Sequence, residues 1–149
     1  MICPQQCSPF IKDNSIIHLT AYLLILILSL MWKVYRTDEF KEWFDNLDFE
    51  AKEPILKDII ILSNYGPSLS RPHVDTLKGS KLNNLKELRT KFKNNYFRII
   101  FAFDPERDII LLVGGNKSND KNFYSKIISK AEKIFLKHID DIQRIKDED

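Results

Sequence analysis

The stretch YFRIIFAFDPERDIILLVGG, residues 96 to 115, constrains this chain more than any other. Period-two alternation puts Phe97, Ile99, Phe101 and Phe103 on one side and Tyr96, Arg98 and Ile100 on the other, which is strand behaviour. DPERD is turn chemistry, and the apolar run after it is short enough to be a second strand. Upstream, NLKELRTKF reads as a third strand. Turns this short between successive strands favour antiparallel pairing, so a sheet organises the second half of the chain.

Helices are expected around it. WKVYRT suits a short first strand, and Thr37 or Asp38 can cap the helix that follows. Phe40, Trp43, Phe44 and Leu47 recur at i, i+3, i+4 and i+7 and form its apolar stripe. A second helix is predicted from about Phe49 to Leu62, with Ile55, Leu56, Ile59 and Ile60 facing inward and Pro54 tolerated early in it. SNYGPSLSRPH then reads as a loop. A last helix should run from about Asn119 to Ile142, with Phe123, Ile127, Ile128, Ala131, Ile134, Phe135 and His138 on or near its apolar stripe. The order β-α-α-β-β-β-α predicts an α+β domain: an antiparallel sheet of about four strands, with the helices packed on one face and the other partly open. A chain of 149 residues with 44% hydrophobic and 30% charged residues can bury such a core without disulfides or metal.

Cysteine and histidine usage points the same way. Cys3 and Cys7 both fall in the first ten residues, which is no disulfide framework. His18, His73 and His138 share no ligand spacing with them, so neither a metal nor another cofactor is expected. No nucleophile elbow, Walker sequence or dinucleotide fingerprint occurs.

The N-terminal segment stands apart. Ile16 to Trp32 is a nearly uncharged run of 17 residues, at the short limit for a membrane-spanning helix. Three readings stay open. Met31 is the true start and residues 1–30 are a hydrophobic extension outside the working protein. Alternatively, residues 16–32 anchor the protein in the inner membrane, with Lys33 and Arg36 keeping the rest cytoplasmic. The third reading is a core or interfacial helix. The domain itself is expected over 31–142, followed by an acidic tail at 143–149.

Charge is unevenly distributed although the formal net charge is only +2. Between Arg71 and Arg98 eight cations face two acids, Asp75 and Glu87, a local excess of six. Such a patch attracts polyanions. Within it, alternation places Leu85, Glu87 and Arg89 on one side of their strand and Lys86 and Leu88 on the other. Two adjacent strands can therefore present Arg89 and Arg98 on one open face. Lys117, just after the Gly114-Gly115 pair, can reach the same surface, and Tyr124 enters from the first turn of the last helix. Two guanidiniums, an ammonium and a phenol would form a phosphodiester site without metal or histidine, because guanidinium binds phosphate oxygens bidentately and stays charged. Plainer readings stand beside this one. Arg89 or Arg98 can be half of an ion pair with Glu87, Tyr124 can be core, and Gly114-Gly115 can mark a bulge or a close backbone approach. Lys91 and Lys93 read as turn or edge residues that add to the field.

The ordered motifs RP before L-K-G, L-K-E-L-R, an arginine within an aromatic strand, F-D-P-x-R, and L-L-x-G-G-x-K leading into F-Y carry a resemblance. Over about Met31 to His138 the chain resembles the phage-derived branch of RelE/HigB-type toxins of bacterial type II toxin–antitoxin systems. The resemblance implies the microbial RNase-like RelE/ParE fold and a cytoplasmic toxin that cuts mRNA on the ribosome without metal, thereby inhibiting translation. It also implies a helix-turn-helix (HigA-like) antitoxin as partner. Carried over residue by residue, it marks Lys86, Arg89, Arg98 and Lys117 for catalysis, with Tyr124 the candidate in the last helix. Arg89 and Arg98 would clamp the phosphate, and Lys86 or Lys117 would accept a proton. Tyr124 would stack a base or donate a proton. Arg71, Lys78, Lys81, Lys91 and Lys93 would help bind RNA. GGNK departs from the acid more often found before the lysine. ParE-like relatives inhibit DNA gyrase without catalysis, and a non-catalytic binding protein on the same fold is a third possibility.

Overall fold

In the computed structural model, which describes residues 14–149 (backbone only for 14, 15 and 27–30), the alternating run is buried on both of its sides. The five strands are β1 (Val34–Arg36), β2 (Val74–Thr76), β3 (Leu85–Phe92), β4 (Asn95–Phe103) and β5 (Ile109–Asn116), in the sheet order β1-β5-β4-β3-β2. The helices are α1 (Asn14–Leu30), α2 (Asp38–Asp45), α3 (Phe49–Tyr65) and α4 (Phe123–Glu148), with one 3-10 turn at Gly66–Ser68. The chain divides into two units at Met31/Trp32, and α1 is described by itself. Its 17 residues rise about 26 Å, short of the ~30 Å hydrocarbon core. Among the described residues no helix is long and apolar enough to cross a membrane. Cys3 and Cys7 lie outside the described residues.

The sheet differs from the expected one in three respects. It has five strands rather than about four, because β2, placed in a loop from sequence, pairs antiparallel with β3. It is mixed, because β1 runs parallel to β5. Helices cover both faces rather than one: α2 and α3 pack on the side of Leu88, Phe97, Ile99 and Phe101, and α4 packs on the side of Leu85, Ile100 and Ala102. The physical reason lies in β4, where seven consecutive positions from Phe97 to Phe103 are apolar apart from Arg98. A strand apolar on both sides needs cover on both.

Local chemistry explains the joints. Thr37 caps α2 by accepting a hydrogen bond from the Phe40 amide at 3.1 Å, while its hydroxyl donates to the Leu112 carbonyl at 2.6 Å. One side chain thus starts the helix and ties it to β5. In α3, Ile55 is fully buried, but Leu56 and Ile60 are exposed, so its inward stripe is narrower than predicted. The register of β4 against β5 shifts between Ile100 and Phe101, which lets Leu112 and Val113 both face α4. Gly114 and Gly115 are close-approach glycines. A Cβ on Gly114 would lie 2.2 Å from the Trp43 ring, and one on Gly115 would lie 2.7 Å from Phe123. Finally, α4 begins later than predicted and continues through residues 143–148 instead of ending before them.

Candidate functional site

The α4 face of the sheet is apolar under the helix and polar beyond its N-terminal turn. There Arg89 and Arg98 are directly opposite each other on β3 and β4. Like charges so placed repel, and the fold answers with Glu87, one position-pair along the same face of β3. Its carboxylate accepts from Arg89 Nε at 2.9 Å and meets Arg89 Nη2 at 2.8 Å, while its second oxygen faces Arg98 Nε at 3.9 Å. Glu87 and Arg98 are only 3% and 9% exposed. The 3.9 Å gap is too long for a hydrogen bond, and among the described residues both Glu87 Oε2 and Arg98 Nε lack a partner. Arg98 Nη1 donates to the Phe97 carbonyl.

β2 adds a second carboxylate, because its register sets Asp75 beside Glu87. Asp75 binds Arg89 at 3.0 Å and Arg71 at 2.7 Å. The hydrogen bond from Arg71 holds the Asp75 carboxyl below the usual carboxylate range, against a smaller upward effect of desolvation. Arg89 is pushed further up, chiefly by its hydrogen bond to Glu87. Tyr124, in the first turn of α4, lies half-buried edge-on to Phe123. Burial pushes its phenol up, opposed by the Arg98 guanidinium and reinforced by the Glu87 carboxylate. Lys117 Nζ sits 5.2 Å from the centroid of the Tyr124 ring, a cation–π contact.

Two recesses open beside this cluster. One, of about 220 Å³, is lined by Arg71, Asp75, Thr76, Lys78, Glu87, Arg89 and Tyr124. The other, of about 620 Å³, has Asn94, Tyr96, Arg98, Lys117, Ser118 and Asn119.

Of the five residues singled out for catalysis, four come together: Arg89, Arg98, Lys117 and Tyr124. Lys86 does not. Its cross-strand partner Phe101 lies in the core under α2 and α3, so Lys86 belongs to the opposite face of the sheet. Of the five singled out for RNA binding, Arg71 and Lys78 line the smaller recess, and Lys91 stands 5.5 Å over the Tyr96 ring. The remaining two point elsewhere. Lys93 pairs with Glu50 at the start of α3 (2.7 Å), and Lys81 sits where its amide donates to Glu132. Asp75 was missed because three residues of strand leave no periodic signal. Glu87 carried a signal, its side of β3, but only as an ion-pair partner.

Comparison with known proteins agrees with this fold. The family model described as "Phage derived protein Gp49-like (DUF891)" matches residues 42–136. Over 104 residues the chain is 38% identical to a Mycobacterium tuberculosis protein that carries the toxin name HigB2, covering 68% of this chain and 52% of that protein. It is 40% identical over 95 residues to one from the same organism that carries the toxin name HigB3, covering 63% of this chain and 82% of that protein. The match thus spans about half the length of the first relative and most of the second. The solved structure of a mutant of the E. coli toxin RelE in the free state matches with a TM-score of 0.50 over 69% of this chain and 96% of that one. At 14% identity that likeness is one of fold.

Proposed function

We propose that this chain, which belongs to the family of phage-derived Gp49-like proteins, is the toxin of a toxin–antitoxin pair and acts as a metal-independent endoribonuclease on messenger RNA at the ribosome. The toxin part is supported by the names of the two relatives. The observation that carries the chemistry is the cross-strand pair Arg89 and Arg98 beneath Tyr124 and Lys117.

In this reading a phosphodiester oxygen lies against the edge of the Arg98 guanidinium that borders the larger recess. Arg89 and Lys117 add positive charge, which favours the extra negative charge of a pentacovalent transition state. The RNA 2′-hydroxyl attacks the adjacent phosphorus, forming a 2′,3′-cyclic phosphate and releasing the 5′-oxygen. Asp75, a carboxylate that lines the smaller recess between Arg71 and Arg89, would accept the 2′-hydroxyl proton, as a base weakened by those two guanidiniums. Tyr124, a half-buried phenol in the first turn of α4, would supply a proton to the leaving oxygen. The pair's other member would be a helix-turn-helix antitoxin of HigA type that masks the basic face, and the site of action is the cytoplasm, where ribosomes are.

Expression in a bacterial host should arrest growth and cleave transcripts only while they are translated. Arg98→Ala should abolish both, and co-expression of a neighbouring helix-turn-helix gene should restore growth. One observation favours a second reading: Asp75 and Glu87 already occupy Arg89. A protein that only binds, as a gyrase inhibitor does, needs no free clamp. Arrest with intact transcripts and altered DNA supercoiling would decide for that reading.

A further inference from the structure

We propose that the larger recess is a nucleobase subsite, in which the base flanking the clamped phosphate stacks on Tyr96 and is read by Asn94 and Asn119; the proposal rests on the RNA reading above. The β3–β4 turn and the loop between β5 and α4 form its walls, and they are stapled together. Asn116 Nδ2 donates to Asn95 Oδ1 at 2.8 Å, Ser118 Oγ donates to the Asn94 carbonyl at 3.0 Å, and the Lys117 amide donates to the Tyr96 carbonyl at 2.9 Å. The Tyr96 amide is shared between Asn116 Oδ1 and Ser118 Oγ. The cleft is therefore built before any ligand arrives, and its volume of about 620 Å³ is in the range of small-ligand clefts.

Its chemistry is that of a base site. Tyr96 is 42% exposed at the end of a strand whose next six residues are almost wholly buried, so packing does not account for its ring. Lys91 stands over that ring and adds positive charge. The side-chain amides of Asn94 and Asn119 make no hydrogen bond among the described residues, and each offers both donors and an acceptor to a base edge. Asn119 holds the left-handed conformation (φ 61°), which asparagine adopts more readily than most residues other than glycine. None of the six lining residues is acidic, unlike the smaller recess with Asp75 and Glu87. Arg98 borders this cleft and also faces Glu87 of the other, so a phosphate held by Arg98 leaves the neighbouring base within reach of Tyr96. An aromatic platform with amide readers beside a guanidinium is how unpaired RNA bases are recognised.

The test is fluorescence anisotropy of the full chain with a fluorescein-labelled single-stranded RNA octamer over a range of salt. Tyr96→Ala should weaken binding about 5- to 150-fold with no change in salt dependence, since stacking releases no counterions. Tyr96→Phe, which keeps the ring, should bind as the unmodified chain does. Asn119→Gly, which suits the positive φ, should alter the ranking of octamers of different base. An abasic position walked along the octamer should, at one place, reproduce the Tyr96→Ala loss. If Tyr96→Ala binds normally while Arg98→Ala does not, the subsite is wrong and the RNA reading stands. If the unmodified chain binds no octamer at any salt, the subsite falls, whereas the RNA reading falls only if transcripts also stay intact during translation.

Discussion

Glu87 is the residue on which the site depends, since it lies between two guanidiniums that the strand register forces together. Removing one partner of a buried pair leaves the other charge uncompensated, at a cost of about 3–5 kcal/mol. Glu87→Ala should therefore lower the unfolding free energy by that amount in urea titrations, and Arg98→Leu in the same chain should recover part of it. A loss below about 1 kcal/mol would mean that Arg89 and Arg98 do not rely on Glu87. At this scale much was legible beforehand. Strand alternation puts Arg89 and Lys86 on opposite faces, because successive side chains must point oppositely, whereas the register of β3 on β4 sets Arg98 on the face of Arg89. Asp75 was not legible: nothing local distinguishes VDT as a strand, and only pairing with β3 makes it one.

At the scale of elements, β5 is gripped from both sides at its glycines. Trp43 lies so close over Gly114 that a methyl there would stand 2.2–2.3 Å from its ring carbons, so the indole would have to move. Gly114→Ala should cost about 1–3 kcal/mol, the usual range for overpacking, and be seen as a lower melting temperature. An unchanged melting temperature would show that α2 can shift freely on the sheet. The pair Gly114-Gly115 was readable as a close approach, but which ring approaches each glycine depends on helices far away in sequence. The same limit explains α4. Its apolar stripe, with Ile127, Ala131 and Phe135 buried, is plain in the sequence, whereas its continuation through 143–148 rests on helix propagation rather than burial.

For the whole molecule, charge pairing sets the response to pH. Asp75 and Glu132 are both held below their ordinary values of 3.8 and 4.5, Asp75 by Arg71 and Glu132 by the Ser80 hydroxyl and the Lys81 amide. A carboxyl whose folded value is lowered contributes stability above its unfolded value and loses it as pH falls through the folded one. The melting temperature should accordingly decline as pH drops below about 4.5, and Glu132→Gln should flatten that decline. Tyr124 has the opposite sign. Its raised value contributes stability below its ordinary value of 10.0 that disappears at more alkaline pH.

The sheet, the helix that Thr37 caps and the opposite faces of Arg89 and Lys86 were legible in the sequence. These follow from periodicity and capping, which are local. Contacts between distant elements decide that both faces of the sheet are covered, that Arg98 stands opposite Arg89, that a three-residue strand brings Asp75 to Arg89, and that Asn94 and Asn119 line one recess with Tyr96. Each of those depends on contacts between residues distant along the chain, and a local pattern carries no information about which distant partner it will find.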